Sequence, residues 1–293
     1  MTDVFLGWLS TSTVLLSSVA LASDPPLKFK VLRQTDGVRL YGNGVDFVQE
    51  IDLGSGASLQ LFDDRSIVDW AENQADDYDH FPQYDTGVSV RVESQPLQQH
   101  WERLVERWND RAFSVFNGQF FGSSPLQLAF PVKANGTIYT GGYAGDGEYP
   151  DRKVMLAIEG DEAQILPFPE VGYPDNPLFS TVPDLIVGLD ELADKGIKRN
   201  VGRTFVGVLD RDGNGTTETL FVLTSPRSTQ LRASRTLRAF GASDVMMLDG
   251  GGSTQLIVGG VEFVRSSDKM RRDIPHSIGV ILPEGKLLQD ESH

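Results

Sequence analysis

In Val245-Met246-Met247-Leu248-Asp249-Gly250-Gly251-Gly252-Ser253-Thr254, an apolar run is followed by one acid and three consecutive glycines. The apolar residues predict a short buried strand that ends at Asp249. Consecutive glycines lose backbone entropy on folding and offer no side chain to a core. We therefore expect a ligand to approach this backbone closely, with the carboxylate of Asp249 beside it.

The glycine loop also has a chemistry of its own. Successive glycine N–H groups can form a concave site for an anion such as phosphate. The Asp249 carboxylate would repel that anion, so we expect it to act as a base, a nucleophile or an acceptor for a sugar hydroxyl. The structural alternative is a tight strand-to-hairpin turn, but turns rarely need three glycines in a row.

Charge and composition exclude several classes of protein. The chain has 293 residues, with 41 acidic and 26 basic side chains and a formal net charge of -15. This balance argues against nucleic-acid binding, which requires a basic surface, and disfavours adhesion to anionic membranes. The sequence has no cysteine, which excludes disulfides and thiolate metal sites.

The N-terminus resembles an export signal. Residues 4–21 are apolar and uncharged, and Ala20-Leu21-Ala22 has the small-x-small pattern of a cleavage site. Residues 1–22 therefore predict a signal peptide and a periplasmic or extracellular protein with no membrane span after cleavage. The alternative is an N-terminal anchor helix, although the run is short and rich in serine for a span.

The rest of the chain predicts a single α+β (mixed α/β) domain, in which helices pack on mixed β-sheets. We expect a β-rich segment with one helix over residues 23–110, packed on a main domain over 111–285, and a C-terminal tail over 286–293. Apolar spacing and end signals predict three helices, over residues 96–110, 184–195 and 228–240.

Strands are predicted from apolar runs and turn signals. Alternation across 27–62 predicts strands with a hairpin turn at Gly54-Ser55-Gly56, and residues 63–85 predict a polar surface loop. Two further hairpins are expected, one pairing 203–209 with 218–224 and one joined by Gly259-Gly260. Single strands are predicted over 112–116, 126–132, 153–159, 164–166, 245–248 and 277–282.

Asn117-Gly118 follows the predicted strand 112–116 and precedes Phe120-Phe121. Asn-Gly alone usually marks a turn. Here the two aromatic residues suggest a wall that could support a sugar ring. Two arginines, Arg203 and Arg272, lie in apolar surroundings, and a guanidinium suits bidentate recognition of phosphate.

Asp210-Arg211-Asp212-Gly213-Asn214-Gly215 places oxygen-bearing side chains at alternate positions, as calcium loops do. The EF-hand pattern fails, because Phe221 stands where the bidentate glutamate belongs and because strands, not helices, flank the loop. A polar hairpin turn is therefore favoured, with calcium on Asp210, Asp212 and Asn214 as the alternative. Otherwise we expect neither a metal nor a cofactor.

The motifs occur in an ordered series along residues 110–283. A strand leads to Asn117-Gly118, Gly202-Arg203-Thr204 opens another, a helix ends at Phe240-Gly241-Ala242, the glycine loop follows, and Arg272-x-Ile274-Pro275-x-x-Ile278-Gly279 comes last. In this order they resemble the phosphodiester glycosidase domain family, the family of the lysosomal uncovering enzyme.

The resemblance implies a hydrolase that releases a sugar and a phosphomonoester from a sugar 1-phosphodiester. Its catalytic candidates here are Asp249, Arg203 and Asn117, and its substrate-binding candidates are Gly118, Thr204, Gly250, Gly251, Gly252, Ser253, Thr254 and Arg272. Gln119 departs from the small residue often found in the family. The competing hypothesis is a non-catalytic envelope module that binds phosphorylated or anionic glycans and does not need an ionised Asp249.

Overall fold

A computed structural model of the chain describes residue 26 and residues 28–71, 89–123, 126–144, 148–168, 177–268 and 271–285. The predicted signal peptide, residues 72–85 of the predicted acidic loop and the predicted C-terminal tail lie outside the described residues. No helix in the described ranges has the length and apolar character needed to span a membrane.

The described residues form twenty strands and three α-helices. The strands are β1 (Lys30–Thr35), β2 (Val38–Gly42), β3 (Phe47–Asp52), β4 (Ser58–Gln60), β5 (Ile67–Ala71), β6 (Ser89–Val92), β7 (Ala112–Asn117), β8 (Phe121–Ser123), β9 (Leu126–Leu128), β10 (Val132–Ala134), β11 (Thr137–Thr140), β12 (Lys153–Glu159), β13 (Glu162–Pro167), β14 (Asp184–Asp190), β15 (Val201–Leu209), β16 (Thr219–Ser228), β17 (Asp244–Met247), β18 (Leu256–Val258), β19 (Val261–Val264) and β20 (Ser277–Ile281). The helices are α1 (Leu97–Trp108), α2 (Pro177–Thr181) and α3 (Gln230–Ala239).

The protein is mostly β, and the predicted α+β class with helices packed on mixed sheets is wrong. Strands take 46% of the described residues and helices 17%. Eleven strands form one large sheet, with the main order β1-β2-β3-β16-β15-β17-β14-β10-β11, and five form a second with the order β19-β18-β7-β20-β4. The paired strands of both sheets are antiparallel.

Part of the error in the predicted fold class comes from residues 184–195, for which the sequence predicts a helix. Asp184 and Gly196 look like helix caps, but Asp184–Asp190 is strand β14, and its five central residues are buried. This strand lies between β10 and β17 inside the large sheet, and it contributes residues to the apolar clusters on both faces. A strand buried on both faces gives a continuous apolar run, which spacing alone cannot distinguish from a short buried helix.

The predicted hairpin at Gly54-Ser55-Gly56 is also wrong. Strand β3 belongs to the large sheet, whereas β4 pairs with β20 in the smaller sheet. A single 3-10 turn, Leu53–Ser55, carries the chain from one sheet to the other. The turn residues were therefore recognised correctly, but their partner strands depend on long-range packing.

Several local predictions are confirmed. The β15–β16 and β18–β19 hairpins form as expected, and β7, β12, β17 and β20 lie where apolar runs predicted them. Helix α3 begins after Thr229, whose hydroxyl accepts the Arg232 N–H as an N-cap. Helix α1 packs Leu97 and Leu104 onto the smaller sheet.

The main core lies between the two sheets. Large-sheet residues such as Val206 and Val222 share one apolar cluster with Phe116 and Val280 of the smaller sheet. A second cluster covers the other face of the large sheet and includes Phe205, Met247 and the apolar side of α3. Strands β17 and β7 are inner strands of their respective sheets. Their ends meet where the Asp249 N–H donates to the Gly118 carbonyl over 3.1 Å.

Candidate active site

Asp249 is the second residue after the end of β17, and hydrogen bonds to its main chain hold it in place. Its N–H donates to Gly118 O, and its carbonyl accepts a 2.7 Å hydrogen bond from Asn117 Nδ2. The residue as a whole is partly exposed. The strand end therefore fixes the backbone of Asp249.

Asn117 links three segments of the site. Its Oδ1 accepts hydrogen bonds from Thr204 Oγ1 at 2.7 Å and from the Gln255 N–H at 3.2 Å, while its Nδ2 donates to Asp249 O. Asn117 is buried, and so is Thr204. The structure thus brings two predicted site residues beside Asp249, with their polar groups bonded to protein atoms.

Each glycine of the loop has a local structural reason. A Cβ on Gly250 would lie 2.8 Å from Gly202 O, and one on Gly252 would lie 2.3 Å from the Asp268 carboxylate. Gly251 has φ +64°, a left-handed value that other residues rarely adopt. Close ligand approach is therefore not needed to explain three glycines in a row.

The loop still presents donors for an anion. Gly251–Ser253 form a single 3-10 turn. Among the described residues, none accepts the N–H of Gly251 or Gly252. The first N–H groups of a helical turn lack partners within the turn, so these two are available to a ligand.

The surroundings of the Asp249 carboxylate raise its pKa to about 6, chiefly through burial. Hydrogen bonds from the Ser253 hydroxyl and the Gly250 N–H act against this rise, as do the positive charges of Lys195 and Arg272. The Gly250 bond joins N–H to Oδ1 over 2.8 Å. A carboxyl with a pKa near neutrality can exchange protons at physiological pH.

Arg272 approaches this carboxylate through Ser253. Its Nη1 lies 3.5 Å from Ser253 Oγ, and its Nε contacts Asp268 Oδ2 at 3.0 Å. Arg272 is exposed. Part of its charge is therefore neutralised by Asp268, while the guanidinium remains open to solvent.

Arg203 lies on the opposite face of β15 from Thr204, because successive strand residues point to opposite sides. It is 3% exposed, and its guanidinium contacts the carbonyls of Lys195, Gly196 and Arg199 at 3.3, 2.8 and 3.3 Å. Burial lowers its pKa, and the charge of Arg199 adds to the effect. Arg203 thus lies beneath the loop between β14 and β15, and its direct role in phosphate binding stays a prediction.

Lys195 was missed by the sequence reasoning. Its Nζ lies 4.9 Å from the ring centroid of Phe120 and 5.2 Å from that of Tyr149. Phe120 was predicted to form a wall, but nothing in a stretch such as Asp194-Lys195-Gly196 places a lysine against it. Only the fold brings the Lys195 loop to Asp249.

His276 has no role predicted from the sequence. Its Nδ1 accepts the Gln119 N–H at 2.9 Å, so its Nε2 carries the proton and donates to Leu61 O at 2.7 Å. Burial lowers the pKa of His276 to about 4. A Cβ on Gly118 would lie 2.2 Å from its Nδ1, so Gly118 leaves room for this ring.

Two other predicted residues have structural contacts. Gln119 is buried, and its Nε2 donates to Val187 O at 2.5 Å, which ties the end of β7 to β14. Thr254 is buried with an unbonded hydroxyl, and a Cβ on Gly202 would lie 2.6 Å from it.

The proposed calcium ligands lie at the far end of β15 from Arg203. One carboxylate oxygen each from Asp210, Asp212 and Glu218 lies within 4.8 Å of the others. Asn214 instead donates its Nδ2 to Asp212 Oδ2 at 3.1 Å, and Asp210 accepts the N–H groups of Gly213 and Gly215. These bonds are those of a polar turn. Calcium binding by Asp210, Asp212 and Asn214 stays a prediction, and the carboxylates that the fold brings together are those of Asp210, Asp212 and Glu218.

Part of the chain matches a known sequence family. The sequence model of the phosphodiester glycosidase family matches residues 181–281, which include Arg203, Asp249, Ser253, Thr254 and Arg272. No curated protein matches the chain.

Three solved structures share the fold. A hypothetical protein from Synechocystis is 15% identical with a TM-score of 0.51, covers 89% of this chain, and has 64% of its own length spanned by it. The zebrafish N-acetylglucosamine-1-phosphodiester alpha-N-acetylglucosaminidase catalytic domain, auto-inhibited by its pro-peptide, is 12% identical with a TM-score of 0.51, at coverages of 87% and 81%. A Burkholderia pseudomallei protein described as exported is 12% identical with a TM-score of 0.50, at coverages of 84% and 74%.

At such identities the structures establish only a common fold, whereas the match over residues 181–281 reports on the sequence itself. Asn117 lies outside that range, but the fold joins it to Asp249 and Thr204 inside it. The resemblance inferred from the order of the motifs is thereby confirmed: residues 181–281 match the phosphodiester glycosidase family.

Proposed function

We propose that the protein is an exported hydrolase that cleaves the glycosidic bond of a sugar 1-phosphodiester and releases the sugar and a phosphomonoester. The observation that carries this proposal is the environment of Asp249. The residue is partly exposed, its carboxylate interacts with the positive charges of Lys195 and Arg272, and its loop carries the Gly251 and Gly252 amides, which have no acceptor among the described residues. The family match over the same segment supports it.

Asp249 acts on the sugar side in this proposal. With a pKa of about 6, it is about nine-tenths ionised at pH 7. The ionised group can attack the anomeric carbon, take a proton from water or accept a sugar hydroxyl. The Gly250 N–H donates to its Oδ1, and the Ser253 hydroxyl also donates to this carboxylate, so both donors hold it in place.

The leaving group explains how one acid could suffice. Glycosidases usually need a second carboxyl group to protonate the departing oxygen. A phosphomonoester has a second ionisation near pKa ~6, so it departs without a strong general acid. The neighbouring acid, Asp268, is paired with Arg272, which suits charge balance better than proton donation. Cations and loop amides would then stabilise the departing phosphate.

Turnover of aryl-phosphate diesters of GlcNAc and of glucose, each joined through C1, tests the proposal. We expect the wild type to release sugar, and Asp249→Asn to lose activity by roughly 100- to 10,000-fold, the range for removing an acid–base group. Asp273→Asn, an exposed acid of a neighbouring segment, is the matched control and should keep activity. Undiminished turnover by Asp249→Asn would exclude the role of this carboxylate.

The same measurements address the glycan-binding alternative. A non-catalytic envelope module would bind sugar phosphates without releasing sugar, and Asp249→Asn would bind them at least as well. Export is tested separately, by N-terminal sequencing of the protein secreted from a bacterial host. We expect the mature chain to begin at Ser23, after cleavage at Ala22.

A further inference from the structure

The loop that joins β14 to β15, residues 191–200, is supported by a buried arginine. Arg203 has four contacts through its two terminal nitrogens, three to loop carbonyls and one to Met247 Sδ at 3.8 Å. Its remaining donor, Nε, is buried and has no partner. Four of the five guanidinium N–H groups are therefore used within the protein, and the fifth, on the buried Nε, does not face solvent.

Lys195, by contrast, is exposed, and no salt bridge of the described residues includes it. Its ammonium lies over the Phe120 and Tyr149 rings, where the two faces restrict its position. An ammonium is a suitable point charge for phosphate.

We propose that Lys195 is the phosphate-binding cation of the Asp249 site and that Arg203 is a positioning residue, which holds the Lys195 loop through its main-chain carbonyls. This assignment rests on the proposed function, because it gives the substrate's phosphate its ligand. It also reassigns Arg203 from direct phosphate contact to indirect support.

Other contacts hold the same loop from the helix side. Gln230 of α3 is fully buried and donates its Nε2 to the carbonyls of Glu191 and Ala193, at 2.8 and 2.6 Å. The Glu191 carboxylate pairs with Arg238. Arg203 and α3 therefore bind different parts of the loop. These hydrogen bonds fix the position of Lys195 in the absence of phosphate.

Charges around Asp249 supply a readout that does not depend on turnover. The groups that face its carboxylate are Lys195 from the loop, Arg272 from the segment before β20, and the Ser253 and Gly250 donors of its own turn. Removing the ammonium of Lys195 should therefore raise the pKa of Asp249 further, which NMR titration of a carboxyl-labelled protein measures directly.

The decisive experiment compares Lys195→Gln with Lys198→Gln, a matched exposed lysine of the same loop. Inorganic phosphate is the probe, and its dissociation constant is followed by NMR. We expect Lys195→Gln to weaken phosphate binding about 10- to 100-fold, as for a lost charge-assisted contact, and Lys195→Arg to restore most of it. Lys198→Gln should leave both phosphate binding and the Asp249 titration unchanged. Equal effects of the two glutamine variants would overturn the proposal.

Arg203→Lys tests the positioning role. The variant keeps the charge but cannot reach three carbonyls. As a single substitution it should weaken phosphate binding, and combined with Lys195→Gln it should have little further effect. Equal losses in both backgrounds would mean that Arg203 binds phosphate itself. If Arg203→Lys does not fold, an NMR titration of the wild-type protein with phosphate tests the same point. Phosphate should shift the NMR signal of Lys195 Nζ and leave that of Arg203 Nε unchanged. A wild type that binds phosphate but releases no sugar refutes the proposed function alone.

Discussion

Replacing Asp249 with asparagine should stabilise the protein at neutral pH while it removes activity. The pKa of this carboxyl is raised from 3.8 to about 6. The folded state therefore binds the proton more tightly than the unfolded chain, and ionisation opposes folding. The loss of stability caused by this ionisation is absent below pH 3.8 and grows as the pH rises through 6. Because one pKa unit is worth about 1.4 kcal/mol, the full shift amounts to about 3 kcal/mol.

Asparagine has the shape of aspartate without the charge. Its Oδ1 can still accept the Gly250 N–H, and its amide can donate to a rotated Ser253 hydroxyl. We therefore expect Asp249→Asn to exceed the wild type by up to about 3 kcal/mol in free energy of unfolding at pH 7.5. At pH 4, where the folded wild type is protonated, the gain should largely vanish.

Guanidinium denaturation of both proteins at pH 4 and pH 7.5 measures the difference. Asp273→Asn serves as the control for removing an exposed charge from this acidic chain. A variant that is no more stable than the wild type at pH 7.5 would refute the reasoning, as would a gain of equal size at both pH values.

Three further outcomes follow from contacts outside this carboxylate. Asn117→Ala leaves the Asp249 carbonyl and two donors unpaired and should lower the free energy of unfolding by about 2–4 kcal/mol in urea denaturation; Asn117→Asp, which keeps the acceptor, should lose less. His276 has its pKa lowered to about 4 from 6.5, so its folded state binds fewer protons and stability falls as the pH drops from 6.5 to 4. His276→Gln should flatten that slope, and an unchanged slope would contradict the assignment. A chelator should leave the melting temperature unchanged, because the Asp210 turn is satisfied by its own N–H groups; a clear drop in Tm would establish calcium there.

The parts of the fold that sequence could predict are those decided by neighbours in the chain. The β15–β16 hairpin, α3 with its Thr229 cap, and the strand before Asp249 all follow from spacing and end signals within a dozen residues. Strand β14 did not, because its apolar run carries no period and its flanking residues resemble helix caps. Its identity is decided by β10, β12 and β17, which come from distant parts of the chain.

The candidate site divides in the same way. Asp249 and the glycine loop can be recognised from local composition. Asn117 and Arg272 can be recognised only from the order of the motifs along the chain, which resembles that of the family. Lys195 has no local signal, because its relation to Asp249 arises when β14 and β15 flank β17. Arg203 and Thr204 are neighbours in sequence, yet strand geometry sends them to opposite faces and so to different tasks.

We expect the bond network of Asn117 to form only when the two sheets dock. Asn117 belongs to the smaller sheet, and its amide reaches Thr204 of the large sheet and the Asp249 carbonyl. An intermediate in which each sheet has formed without docking would lack this tie, and the Asp249 loop would have no fixed conformation. Contacts between segments far apart in sequence also form slowly. Recovered activity on refolding should therefore report the docking of the two sheets, whereas far-ultraviolet circular dichroism reports the formation of their strands.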